Sequence, residues 1–221
     1  MTDQASAPSE APSAARIDEL APEFEARTTQ GLVKLSDYRG RWLLFFSHPA
    51  DFTPVCTSEF VAFENAADRF EARNCDLLGL SVDSLYAHIA WVKDIEERFG
   101  VKVRFPIIED IAMTISRAYG MIHDGSASTA AVRSVFFIDP DGYVRAMIHY
   151  PMNVGRSVEE ILRVLVALQE SDACHIATPE GWKPGEDAVL PPPLDQAEAD
   201  KRSRMNGSAW YYTKAQVRHD T

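Results

Sequence analysis

An unbroken apolar run, WLLFFS at residues 42–47, follows a polar turn at residues 37–41 and leads straight into His48 and Pro49. Such a run suits a strand covered on both faces, as in a sheet sandwiched between helices. DLLGLSV at residues 76–82 repeats the pattern. Helical spacing surrounds these runs. Residues 53–73 read as a helix with Phe60, Phe63, Ala67 and Phe70 on one side, and residues 84–99 as a second, closed by Gly100. Shorter signals predict strands at 31–35 and 106–108 and a brief helix at 113–119. Residues 134–138 and 143–150 flank the turn DPDG and form a hairpin, with Val144, Ala146, Ile148 and Tyr150 on one face by alternation. Residues 157–169 form an amphipathic helix with Val158, Ile161, Leu162, Leu165 and Leu168 inward, opened by a capping box of Ser157 and Glu160. Strands alternating with helices and ending in a hairpin plus helix specify an α/β fold, a mixed sheet flanked by helices.

With 221 residues the chain can build one full core and an extension, or two small domains. Residues 1–16 are an Ala/Ser/Pro/acidic mixture that buries too little surface to fold, and read as a disordered leader. Residues 17–173 carry the core. Residues 174–221 form a C-terminal arm, punctuated by Pro179, Pro184 and Pro191–Pro193, with a short charged helix at 195–204 and the aromatic cluster Trp210, Tyr211, Tyr212. A formal charge of −11 disfavours nucleic acid and anionic membranes as partners. No apolar run reaches the roughly 18–20 residues that span a bilayer. Three scattered cysteines, Cys56, Cys75 and Cys174, make no disulfide framework, which points to the cytoplasm. No His/Cys spacing resembles a metal-ligand set.

The stretch SHPADFTPVCTSEF, residues 47–60, carries the chemistry. Thr53 is a good N-cap and Pro54 suits the first helical position. That register puts Cys56 in the first turn, beside unpaired N–H groups and the positive end of the helix dipole, where a thiolate is stabilised. The segment also leaves the carboxyl end of a buried strand, where open α/β sheets form their sites. Cys56 is therefore a candidate nucleophile. Helix position alone leaves open the plainer reading of a small packed residue.

Pro49-x-x-x-Thr53-x-x-Cys56 resembles the active-site signature of the peroxiredoxins, and HPADFTPVCT is similar to their one-cysteine (Prx6-type) branch. The resemblance covers residues 17–212. It implies a thioredoxin-like fold and thiol-dependent reduction of hydrogen peroxide and organic hydroperoxides, with no cofactor. Cys56 is then the peroxidatic thiolate, oxidised to a sulfenic acid. Thr53 matches the threonine that orients the peroxide, Pro49 the proline that shields the site, and Arg133 the arginine beside the thiolate. The backbone N–H groups of Val55 and Cys56 supply further donors to the peroxide. Displacing an alkoxide from an O–O bond develops negative charge, which such donors stabilise.

The weaker positions keep two readings each. His48 matches a histidine near the cysteine or is a hydrogen-bonded structural residue. Glu59 organises Arg133 or Arg156, or is an ordinary helix carboxylate. Arg156 matches a second family arginine, with a structural or a catalytic role. Cys75 reads as buried and inert, and Cys174 is the one thiol placed to resolve the oxidised Cys56; an external thiol is the default reductant. A homodimer or higher homo-oligomer is implied. In the stretch YRGRW, Arg41 stands where some branch members carry a lipase serine, and Leu35 where they carry its histidine, so lipase activity is expected to be absent. A Cys–His hydrolase lacks its local signatures here. A non-enzymatic redox sensor or holdase on the same fold differs from the enzyme by its lack of turnover.

Overall fold

The computed structural model describes residues 14–122, 129–204 and 209–216. The leader reading falls, for residues 1–13, outside the described residues. Ala15, expected within that leader, donates its N–H to the Ala118 carbonyl at 3.1 Å. The chain divides into two compact units, residues 1–156 and 157–221.

The first unit is built on one seven-stranded mixed sheet. In chain order its strands are β1 (Glu25–Thr28), β2 (Gly31–Lys34), β3 (Trp42–Ser47), β4 (Cys75–Ser81), β5 (Ile107–Glu109), β6 (Arg133–Ile138) and β7 (Val144–Tyr150). They lie side by side as β2-β1-β5-β4-β3-β6-β7. The neighbours β3, β4 and β5 run parallel; the remaining pairings are antiparallel. As the apolar run requires, all six residues of β3 are buried. Leu43 and Phe45 point to one core, with Tyr119 and Phe136. Phe46 points to the other face, where its ring stacks on Phe63 at 4.4 Å and meets Phe60 edge-on at 5.7 Å.

The expected helix over residues 53–73 is two helices, α1 (Pro54–Asn65) and α2 (Ala67–Glu71). They part at Ala66, whose N–H is shared between the carbonyls of Ala62 and Phe63; such bifurcation marks a helix end. Next, α3 (Leu85–Phe99) runs as expected, from a Ser84 cap whose hydroxyl accepts the Ala87 N–H to Gly100 in the left-handed region at φ 67°. The short α4 spans Thr114–Ala118.

The hairpin departs from simple alternation. Phe137 pairs with Ala146 and Ile138 with Val144, so Arg145 is an extra residue, a β-bulge. The bulge reverses the side-chain phase. Val144 therefore shares the Phe136 and Ile138 face, together with Met147, while Ala146, Ile148 and Tyr150 turn to the opposite face.

The second unit comprises α5 (Val158–Cys174), α6 (Gln196–Ser203) and a small ribbon of β8 (Ala188–Val189) and β9 (Lys214–Ala215). Half of the expected capping box forms. Ser157 accepts the Glu160 N–H, but the Glu160 carboxylate pairs with Arg163. Val166, Ala167 and Trp182 make a buried cluster in this unit.

Candidate active site

Topology assembles the site at the carboxyl end of β3. Antiparallel pairing sets Phe46 opposite Val135, so β6 begins where β3 ends. Arg133, its first residue, thus lies at the same edge as Ser47 and His48, and its partner Tyr150 brings the chain back toward Arg156. The loop from His48 then turns into α1. Phe52, just before the helix, adopts the left-handed backbone at φ 55°. For a bulky side chain that conformation costs about 1–3 kcal/mol, strain of the kind that collects at functional sites.

Thr53 occupies the N-cap position, but its hydroxyl does not cap. It donates to the Ala50 carbonyl at 2.8 Å, holding the loop closed on itself. The first N–H groups of α1, among them Val55 and Cys56, are left in the part of a helix that has no preceding carbonyls. Cys56 is fully buried in this first turn, and Pro49 is also buried.

Arg133 Nη1 stands 3.3 Å from the Cys56 sulfur. The same nitrogen donates to Glu59 Oε2 at 2.7 Å, and Arg133 Nε donates to the Met152 carbonyl at 2.9 Å. Glu59, one turn after Cys56, also receives Arg156 in a two-pronged pair: Nε to Oε1 at 2.9 Å and Nη2 to Oε2 at 2.7 Å. The Arg156 backbone N–H adds a third bond, at 2.7 Å. Arg156 Nη1 in turn donates to the carbonyls of Ser47 and Ser134, tying helix, β3 and β6 together. Burial works to raise the Glu59 carboxyl, but the Arg156 and Arg133 guanidiniums prevail and hold it below the usual carboxylate range. Two guanidiniums against one carboxylate leave this buried cluster net positive, and one thiolate on Cys56 neutralises it.

His48 is also buried, but its ring turns to another partner. Its Nε2 lies 2.8 Å from Asp51 Oδ1, while Asp51 Oδ2 lies 2.7 Å from Nδ1 of His88 in α3. Burial pushes the His48 imidazole below its ordinary value, against the pull of Asp51. Sequence reasoning missed Asp51 and His88. Asp51 sits inside the quoted signature, and His88 is a polar residue on the buried side of α3. Among the described residues these three bring metal-ligand-type atoms within 4.8 Å of one another. Their spacings of 2.7–2.8 Å are those of hydrogen bonds that close the trio on itself.

The remaining cysteines lie apart in character. Cys75 opens β4, and burial pushes its thiol up, so it is inert at neutral pH. Cys174 is the last residue of α5, in the second unit, and is half-buried. Arg41 pairs with Asp76 and Glu71, and Leu35 is buried in the core, so neither residue belongs to the Cys56 cluster.

Residues 17–147 match the AhpC/TSA family, and residues 167–204 match the C-terminal domain of 1-Cys peroxiredoxin. Peroxiredoxin 2 of Picrophilus torridus is 49% identical over 195 residues, covering 88% of this chain and 96% of that protein. A solved structure of a yeast mitochondrial 1-Cys peroxiredoxin is 39% identical with a TM-score of 0.78, covering 90% of this chain and 99% of its own. A cysteine-to-serine mutant of peroxiredoxin 6 from Arenicola marina is 31% identical with a TM-score of 0.81, covering 94% and 100%. A thiol at a helix start, an arginine at its sulfur and these matches along both units agree: the chain belongs to the peroxiredoxin family, thiol peroxidases of thioredoxin fold, and carries the C-terminal extension of the one-cysteine branch.

Proposed function

We propose that the chain reduces hydrogen peroxide and organic hydroperoxides at Cys56 and is reset by an external thiol. The observation that carries this reading is the Arg133 guanidinium 3.3 Å from the Cys56 sulfur, itself fixed by Glu59 and the Met152 carbonyl. The Cys56 thiolate attacks the terminal peroxide oxygen. The S–O bond forms as the O–O bond breaks, and the electron pair leaves on an alkoxide or hydroxide, which takes a proton to become alcohol or water. Arg133 and the N–H groups of Val55 and Cys56 are positioned for the charge on that departing oxygen. Thr53, whose hydroxyl is anchored on Ala50, presents its oxygen at the helix entry to orient the peroxide. Cys56 is now a sulfenic acid. One thiol displaces water to form a mixed disulfide, and a second thiol releases Cys56 as the disulfide of the two donors forms.

The yeast mitochondrial relative resolves its thiol via glutathione/thioredoxin systems, and a small or protein thiol of that kind is the reductant we assign here. Cys174→Ser should keep most turnover, within about 2-fold of wild type, when a small thiol is supplied. Steady-state peroxide consumption tests this; collapse of turnover, with a Cys56–Cys174 disulfide accumulating in the wild type, would make Cys174 the resolving residue.

The proposed assembly is a homodimer or higher homo-oligomer, supported by Trp210, Tyr211 and Tyr212, all exposed in the second unit. Exposed aromatic clusters mark contact surfaces. Truncation after residue 208 should lower the sedimentation mass, and an unchanged oligomer would exclude this cluster as the contact. The cytoplasm is the proposed compartment, because three scattered cysteines are too few for a disulfide framework; cell fractionation that finds the protein outside it would contradict this.

A further inference from the structure

The buried trio of His48, Asp51 and His88 has a proton count that its geometry fixes. His88 Nε2 lies 3.1 Å from the Ile108 carbonyl, which only accepts, so a proton sits on Nε2. One more proton lies in the 2.7 Å contact between His88 Nδ1 and Asp51 Oδ2, and a third in the 2.8 Å contact between Asp51 Oδ1 and His48 Nε2. The trio is closed on itself, with side chains 0–3% exposed. Asp51 stays an acceptor toward His48, which places the His48 proton on Nε2. His48 Nδ1 is then a bare lone pair, buried and without a hydrogen-bond partner among the described residues.

The trio also governs where the active-site loop lies. Asp51 is midway between Pro49 and Thr53, and its backbone N–H is held by Asp83 Oδ2 at 2.9 Å. His88 reaches it from α3 while anchored on β5 through Ile108. The His48 ring packs on Phe60, one turn after Cys56, and on Trp91, whose indole N–H donates to Thr57 beside Cys56.

We infer that His88 is a positioning residue for the peroxide reaction: by its bond to Asp51 it fixes the loop carrying Pro49 and Thr53 and locks His48 as the Nε2–H tautomer. The inference rests on Cys56 being the peroxidatic residue. A misplacement of about 1 Å at a reacting centre costs up to about 100-fold in rate. His88→Leu, which removes the donor to Asp51, should slow stopped-flow oxidation of Cys56 by about 10- to 100-fold. His88→Asn, whose amide nitrogen reaches the Nδ1 position, should return to within about 3-fold of wild type. Imidazole nitrogen NMR of the reduced wild-type protein should show His48 protonated on Nε2 and bare on Nδ1. The inference is overturned if a folded His88→Leu oxidises at the wild-type rate, or if the leucine and asparagine variants are equally slow, the mark of mere packing. Should His88→Leu not fold, the wild-type spectrum decides, and a proton on His48 Nδ1 overturns the inference. A wild type whose Cys56 does not react with peroxide at all would instead refute the proposed function.

Discussion

Cys56→Ser should abolish peroxide turnover, by at least about 10³-fold, while the chain stays folded. Serine fits the space of cysteine, and its hydroxyl keeps a hydrogen bond to Arg133 Nη1, so the buried cluster retains its partners. What it loses is a polarisable anion at the helix start. A hydroxyl stays protonated at neutral pH, and its oxygen does not attack an O–O bond as a thiolate does. Peroxide consumption with a thiol donor, beside circular dichroism and a thermal melt, measures both halves. Catalytic consumption by the serine variant would place the reaction elsewhere in the chain.

Glu59→Gln should be the most destabilising single change at the site that alters no atom of Cys56. The carboxylate accepts three side-chain bonds from two arginines and one backbone bond, all in a region with side chains 0–2% exposed. Removing its charge leaves two buried guanidiniums with only the Cys56 thiolate as counter-ion. Breaking a buried pair in this way costs about 3–5 kcal/mol, which for a chain of this size lowers the melting midpoint by roughly 10 °C. Oxidation of Cys56 should slow as well, because Arg133 loses the anchor that holds it at the sulfur. Since Glu59 titrates below the usual carboxylate range when folded, its stabilisation is present in full above the unfolded pKa. It is lost as pH falls through the lowered folded value, and the glutamine variant should lack that part of the acid-limb loss. Denaturant titration at neutral and acid pH tests both; equal midpoints for the two proteins would remove Glu59 from the energetics.

The fold was legible where one residue type sufficed to reveal the environment. WLLFFS is a strand with the expected bounds because every position faces a core, and the 84–99 helix has a serine cap and a left-handed glycine at its ends. The hairpin face misled because a single inserted residue, Arg145, reverses the phase, and nothing in the alternation shows which residue is extra. Strand β1 went unread because EART is short and polar; its pairing with β2 and β5 supplies what its side chains do not signal. Of the site, Cys56, Arg133, Glu59 and Arg156 meet, and Glu59 is buried between the two arginines rather than solvated as an ordinary helix carboxylate. His48 joins Asp51 and His88, a residue 40 positions further along, and only tertiary packing brings that trio together. Thr53 holds the N-cap position yet spends its hydroxyl on Ala50, a choice set by the loop and invisible in the sequence.

The most direct measurement is mass spectrometry of the reduced wild-type protein given one equivalent of hydrogen peroxide in the presence of a sulfenic-acid trap, with Cys56→Ser beside it. The account predicts the trapped adduct on Cys56, formed within the mixing time of the peroxide-consumption phase, and no adduct in the serine variant. An adduct on Cys75 or Cys174 with Cys56 unmodified, at the same rate of peroxide loss in both proteins, would contradict it.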